Sequence, residues 1–182
     1  MKVRDILKMV AFNLQRRDII DCLEGKNADG EEELKKLFTC YKLVVSELNE
    51  EYSPLSFTET LLSKKGKIYF TSFSKIPTEI LSVKLGGERL NYSVFPTYLQ
   101  VDKNQVDVEY RYIPKFENMD EECPYSNTKI TERILTLGVM REFLLFCGLY
   151  EEAVIYDEKF LKALDNVLLS KKGGIMKKRG WF

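Results

Sequence analysis

The stretch from Thr128 to Ser170, TKITERILTLGVMREFLLFCGLYEEAVIYDEKFLKALDNVLLS, decides the fold. Its first half spaces Ile130, Ile134, Leu137, Met140 and Leu144 at helical intervals, and Val139, Phe143 and Phe146 add a second apolar flank. A helix apolar over so much of its circumference must be covered on several sides, which predicts the centre of a bundle. Gly148 interrupts the pattern, and Glu151 and Glu152 open a second helix where its dipole favours negative charge. That helix carries Ala153, Tyr156, Phe160, Ala163, Leu164 and Val167 on one side, with Glu151, Glu158, Lys159, Lys162 and Asp165 mostly on the other. A break of one glycine predicts an antiparallel helical hairpin.

Working outward, Val3, Ile6, Leu7, Val10 and Leu14 mark a first amphipathic helix, which Ile19, Ile20 and Leu23 continue or follow as a short separate one. After a turn at Gly25–Gly30, Glu31-Glu32-Glu33 begins a helix with Leu34, Leu37, Phe38, Tyr41, Val44, Val45, Leu48 and Tyr52. The three glutamates read as a solvated first turn complementing the dipole rather than as an acidic site.

At Pro54 the apolar period changes from 3.6 to 2. Strands are predicted at Phe57–Leu62, Lys67–Ser72, Ile80–Leu85, Arg89–Phe95, Tyr98–Val101 and Gln105–Tyr112. Tight turns between them, including Gly86-Gly87, predict a meander. An acidic loop, Phe116 to Asn127, leads back to the helices, with Asn127 or Thr128 as the expected N-cap.

The expected fold class is therefore α+β. Helices Val3–Glu24, Glu31–Tyr52, Lys129–Cys147 and Tyr150–Leu169 form a four-helix bundle from residues 1–54 and 116–170. Residues 55–115 form an inserted antiparallel β lobe. Residues 171–182 are a flexible basic tail in which Gly173 and Gly174 act as a hinge.

Composition bounds the function. The 182 residues are 45% hydrophobic and 31% charged, and the longest unbroken apolar run, Phe143 to Cys147, is far too short to span a bilayer. The first residues lack an apolar leader core, so the product is expected to be made and kept inside a cell. No histidine occurs, which removes the commonest general base and metal ligand. Cys22, Cys40, Cys123 and Cys147 have no metal-ligand spacing. Cys40 and Cys147 sit in helical apolar context, and free thiols are expected over disulfides. Gly66-Lys67 lacks the remainder of a phosphate-binding loop, and no helix follows Gly86-Gly87 as a dinucleotide fingerprint requires. No catalytic residue, metal site or cofactor is expected.

Charge is balanced overall but unevenly placed. Lys171, Lys172, Lys177, Lys178 and Arg179 face no acid after Ser170, so the first 170 residues carry a formal charge of minus five. The segment Ile175, Met176, Lys177, Lys178, Arg179, Gly180, Trp181, Phe182 hangs two large aromatics beyond the glycine hinge. Trp and Arg are enriched among interface anchors, which points to a docking tail. A tail folded back on its own bundle, a disordered terminus and a phosphate-backbone contact remain open beside it.

Several segments together carry a family likeness. They are Asp5-Ile6-Leu7 with Arg17-Asp18-Ile19-Ile20, and Leu43–Leu48 leading into Glu51-Tyr52-Ser53-Pro54-Leu55. They continue with Val108-Glu109-Tyr110-Arg111-Tyr112-Ile113-Pro114, Glu132–Leu135, Glu142–Ala153, and the final Lys177-Lys178-Arg179 with Trp181. In layout and wording the chain resembles the head-to-tail adaptor (connector, or neck) proteins of tailed bacteriophages and prophages. The resemblance implies a structural virion protein forming a ring, usually of twelve copies, below the portal. It implies neighbouring copies of itself, the portal protein and a downstream neck or tail protein as partners. Packaged DNA would pass through without specific binding, no membrane would be involved, and assembly would occur in the bacterial host cytoplasm. The tail Ile175–Phe182 would grip the portal. Another neck or tail-completion protein, or a small nucleic-acid-binding regulatory protein using the basic tail, are the competing assignments.

Overall fold

The computed structural model describes residues 1–169. Its helices are α1 (Val3–Asn13), α2 (Arg17–Leu23), α3 (Glu31–Glu47), α4 (Glu132–Phe146) and α5 (Tyr150–Leu169). Its strands are β1 (Ser56–Leu62), β2 (Lys67–Tyr69), β3 (Pro77–Leu85), β4 (Glu88–Arg89), β5 (Ser93–Val94), β6 (Tyr98–Gln100) and β7 (Gln105–Tyr112), all antiparallel in their pairings. The class is mixed α+β. Two compact units divide the described residues: Met1–Val45 with those from Phe116 onward, and Ser46–Lys115.

In the helical unit, Val3–Glu24 is two helices rather than one. Gln15 takes φ 56°, Gln15 N–H donates to Phe12 and Arg16 N–H donates to Ala11 at 2.9 Å. That paired closure ends α1 and leaves α2 to start afresh. The same geometry ends α4. Gly148 has φ +77°, its N–H donates to Leu145, and Leu149 N–H donates to Leu144 at 2.9 Å. This turn sends α5 back along α4. The acidic loop does not hang free, because Glu121 and Met119 carbonyls accept the N–H groups of Val3 and Arg4 at 3.0 and 2.8 Å. Those are donors in the first turn of α1 that have no partner within the helix. The N-cap of α4 is Thr131, whose hydroxyl accepts from Ile134 N–H, and not Asn127 or Thr128. Thr128 instead closes its own turn, accepting from Ile130 and donating to Tyr125.

The core of this unit follows the apolar periods. Val3, Ile6, Leu7 and Val10 of α1, Leu37, Tyr41 and Val44 of α3, and Ile134, Leu135, Val139, Phe143 and Leu144 of α4 are all buried. On α5 the buried side is Ala153, Phe160 and Leu164. Phe146, expected on a covered flank, is instead exposed, as is Cys147 at the end of α4.

The β unit departs from a meander. One sheet has the order β1-β7-β3-β4 and the other β2-β6-β5. Of the expected hairpins, Gly86-Gly87 joins paired neighbours, with Lys84 opposite Arg89 and both glycines at positive φ. β1 does not pair with β2. β2 is only three residues long and gives way to a 3₁₀ turn at Phe70–Ser72, whereas β1 needs a seven-residue partner and finds it in β7. The predicted strand Arg89–Phe95 is broken, with β4 on β3 and β5 on β6, so the chain changes sheets between them. β7 is central in its sheet, and its inward Val106, Val108, Tyr110 and Tyr112 are buried.

A π-helical turn, Leu48–Tyr52, extends α3 and belongs to the β unit. Within it, buried Asn49 donates to the Tyr112 carbonyl at 3.1 Å and accepts from Leu55 N–H at 2.7 Å. One amide thus holds the entry to β1 and the exit of β7. Asn49→Ala orphans both backbone groups and is expected to cost about 2–4 kcal/mol. Urea unfolding that shows less than about 1 kcal/mol lost would contradict this role.

Candidate interaction surface

Glu31, Glu32 and Glu33 pair with Lys35 and Lys36 at 2.6 to 3.4 Å, and Glu33 also meets Arg16 at 3.5 Å. The triple glutamate is a charge-balanced first turn. Among the described residues no group of three or more carboxylates or thiols is placed to hold a metal ion. All four cysteines are free, and burial pushes the Cys40 thiol up to about 12, which keeps it protonated and unreactive.

The densest cluster surrounds Glu59 of β1. Its carboxylate accepts from Tyr110 Oη at 2.6 Å, from Ser74 N–H at 3.0 Å and from the Ser74 hydroxyl. Burial opposes the charged form, but these hydrogen bonds and the nearby Lys75 together hold the carboxyl below its ordinary value. Lys75 in turn lies 3.8 Å from the centroid of Tyr112 and 4.5 Å from that of Phe57. The group clamps the segment after β2 onto the sheet. A depressed folded-state pKa stabilises above the unfolded value of about 4.3, and the contribution disappears as pH falls through the folded value. Stability should therefore fall below about pH 4.5 through this site, and Glu59→Gln should flatten that part of the profile. An unchanged acid limb in the variant would remove Glu59 from the account.

What the described residues offer in quantity is exposed apolar surface. In the helical unit it gathers at the α4–α5 turn and along α5: Leu145, Phe146, Leu149, Tyr150, Val154 and Leu161. Phe146, Tyr150 and Val154 are 60%, 67% and 58% exposed, well beyond incidental. A groove of about 300 Å³ lies between the two helices, lined by Arg141, Glu142, Leu145, Ala153, Val154 and Asp157. Arg141 is 8% exposed, donates to Glu142 at 2.7 Å and to Asp157 at 3.1 Å, and lies 4.8 Å from the Phe160 ring centroid. A second groove, toward the start of α4, is lined by Thr131, Arg133, Lys159, Lys162 and Asn166 among others.

In the β unit the outer face of the smaller sheet is aromatic. Phe95 and Tyr98 stack at 4.7 Å, Tyr69 lies 6.0 Å from Tyr98, and Lys67 Nζ sits 4.5 Å over the Tyr98 ring. Tyr69, Phe95 and neighbouring Val94 remain exposed.

The tail residues singled out by sequence, Gly173, Gly174, Ile175, Met176, Lys177, Lys178, Arg179, Trp181 and Phe182, lie outside the described residues. The apolar surface on α5 was missed by the sequence reasoning. Its signal was present, since Val154, Ile155 and Leu161 lie off the stripe that runs through Ala153, Phe160 and Leu164. Among the described residues no helix is long and apolar enough to cross a membrane. No protein-family model matches the chain, and no curated protein matches it either.

Proposed function

We propose that this protein is a structural subunit of a tailed phage or prophage: a head-to-tail adaptor that forms a ring below the portal. It has no catalytic role. The ring extends the DNA channel and presents a platform to the downstream neck or tail protein. In the finer architecture we propose, the helices form a bundle, the β unit is a lobe inserted in it, and residues 171–182 dock on the portal.

The observation that carries this is the exposed apolar surface of both units, Phe146, Leu149, Tyr150, Val154 and Leu161 on the helices and Tyr69, Val94 and Phe95 at the small sheet. Large apolar side chains left exposed together on one helix turn and one sheet support a protein that works between neighbours. The family likeness of the sequence supports the same assignment, as an analogy of pattern. The acidic body suits a channel through which DNA must slide, because like charges do not hold the duplex.

Sedimentation and electron microscopy of the protein mixed with its cognate portal test the assignment. A stoichiometric ring-on-ring complex is expected. Persistent absence of a complex, or salt-dependent retention of DNA by the isolated protein, would favour the nucleic-acid-binding alternative instead.

A further inference from the structure

We infer that the apolar groove between α4 and α5 is a parking site for this chain's own residues 175–182, occupied until a portal takes the tail away. The inference rests on the docking role proposed above for that tail.

The α4–α5 pair presents two grooves of opposite character. One carries Arg133, Lys159 and Lys162, and a tail bearing Lys177, Lys178 and Arg179 is repelled there. The other has an apolar floor of Leu145, Ala153 and Val154 with Glu142 and Asp157 beside it. Tyr150, Val154 and Leu161 share one side of α5, and Glu158 and Asp165 fall along its margin. Arg141 does not cancel this charge toward solvent, because its side chain is 10% exposed while that of Asp157 is 42% exposed. The surface is therefore apolar and rimmed with carboxylates. The tail is the complement, with Ile175, Met176, Trp181 and Phe182 apolar and three cations set between them.

Reach allows the contact within one chain. Leu169 and Val154 are separated by fifteen residues of helix, roughly 23 Å at 1.5 Å per residue. Residues 170–181 can span roughly 40 Å when extended, and Gly173-Gly174 permits the reversal of direction. A segment tethered so closely experiences an effective concentration near the millimolar range, so even a weak contact is populated. Docking on a ring of portal sites must then displace a local competitor. The tail would be kept from indiscriminate apolar contacts before assembly.

Trp181 is the single tryptophan of the chain, so its fluorescence reports the tail alone. In the isolated full-length protein, emission is expected to be blue-shifted and acrylamide quenching several-fold weaker than for a free indole. The double variant Val154→Asp/Leu161→Asp changes two exposed positions, and unchanged circular dichroism will verify its fold. It should restore full quenching. Reversing Lys177, Lys178 and Arg179 to Glu leaves the body untouched and should do the same. Freely quenchable Trp181 in the wild type, protection that survives both variants, or protection lost on dilution as for a second copy's tail, would each overturn the inference. If Trp181 is free yet portal captures the protein, parking fails and docking stands. If Trp181 is protected and portal never binds, parking stands and docking fails.

Discussion

Deletion of residues 175–182 is expected to leave the described units folded and to abolish attachment to the portal. The segment concentrates Trp181, Phe182 and three cations beyond the glycine pair. One well-buried aromatic anchor is worth roughly 2 kcal/mol or more at an interface, while rim charges mainly steer encounter. Single tails would therefore bind weakly, and a ring of them acting together far more tightly, through effective concentration. Two graded outcomes follow. Trp181→Ala should weaken attachment more than Lys178→Ala, and the lysine effect should fade as salt is raised. Normal assembly of the truncated protein on portal would eliminate the tail from the docking account. Unfolding of the truncated protein would show that the tail is part of the core, which circular dichroism decides directly.

Phe160→Ala is expected to cost about 3–5 kcal/mol, a large part of the stability of a domain this size. The ring is fully buried where α5 crosses α4. A Cβ added at Gly138 would lie 2.9 Å from Phe160 Cε2 and 2.7 Å from Val44 Cγ1, so the ring and α3 both press on the backbone of α4. The Arg141 guanidinium lies 4.8 Å from the ring centroid. Removing the ring opens a cavity and leaves Arg141 without its apolar cover, though still tied to Glu142 and Asp157. Phe160→Leu refills most of the volume and should lose only about 1.5 kcal/mol or less. Urea midpoints for the two variants measure the difference. Equal losses would mean that α5 packs through other residues.

The helices were legible in the sequence because helical burial is written locally, in spacings such as Ile134, Met140 and Leu144, and the change of period at Pro54 was equally local. The end of α4 at Gly148 could also be read, since one glycine at positive φ closes the helix by itself. The break after α1 was harder, because Gln15 does there what a glycine ordinarily does. Strand pairing was not legible. A period of two says that Val106, Val108 and Tyr110 face one way, but it does not name the neighbour, and β7 takes β1 and β3 across forty or more and twenty or more residues of chain. Nor could it show Asn49 tying Leu55 to Tyr112, a contact with no sequence signature. The α5 surface marks the same limit. Sequence determines which residues of a helix are apolar and on which face each lies. Whether Val154 and Leu161 are core or surface depends on which faces find partners, and burial is a property of the neighbours.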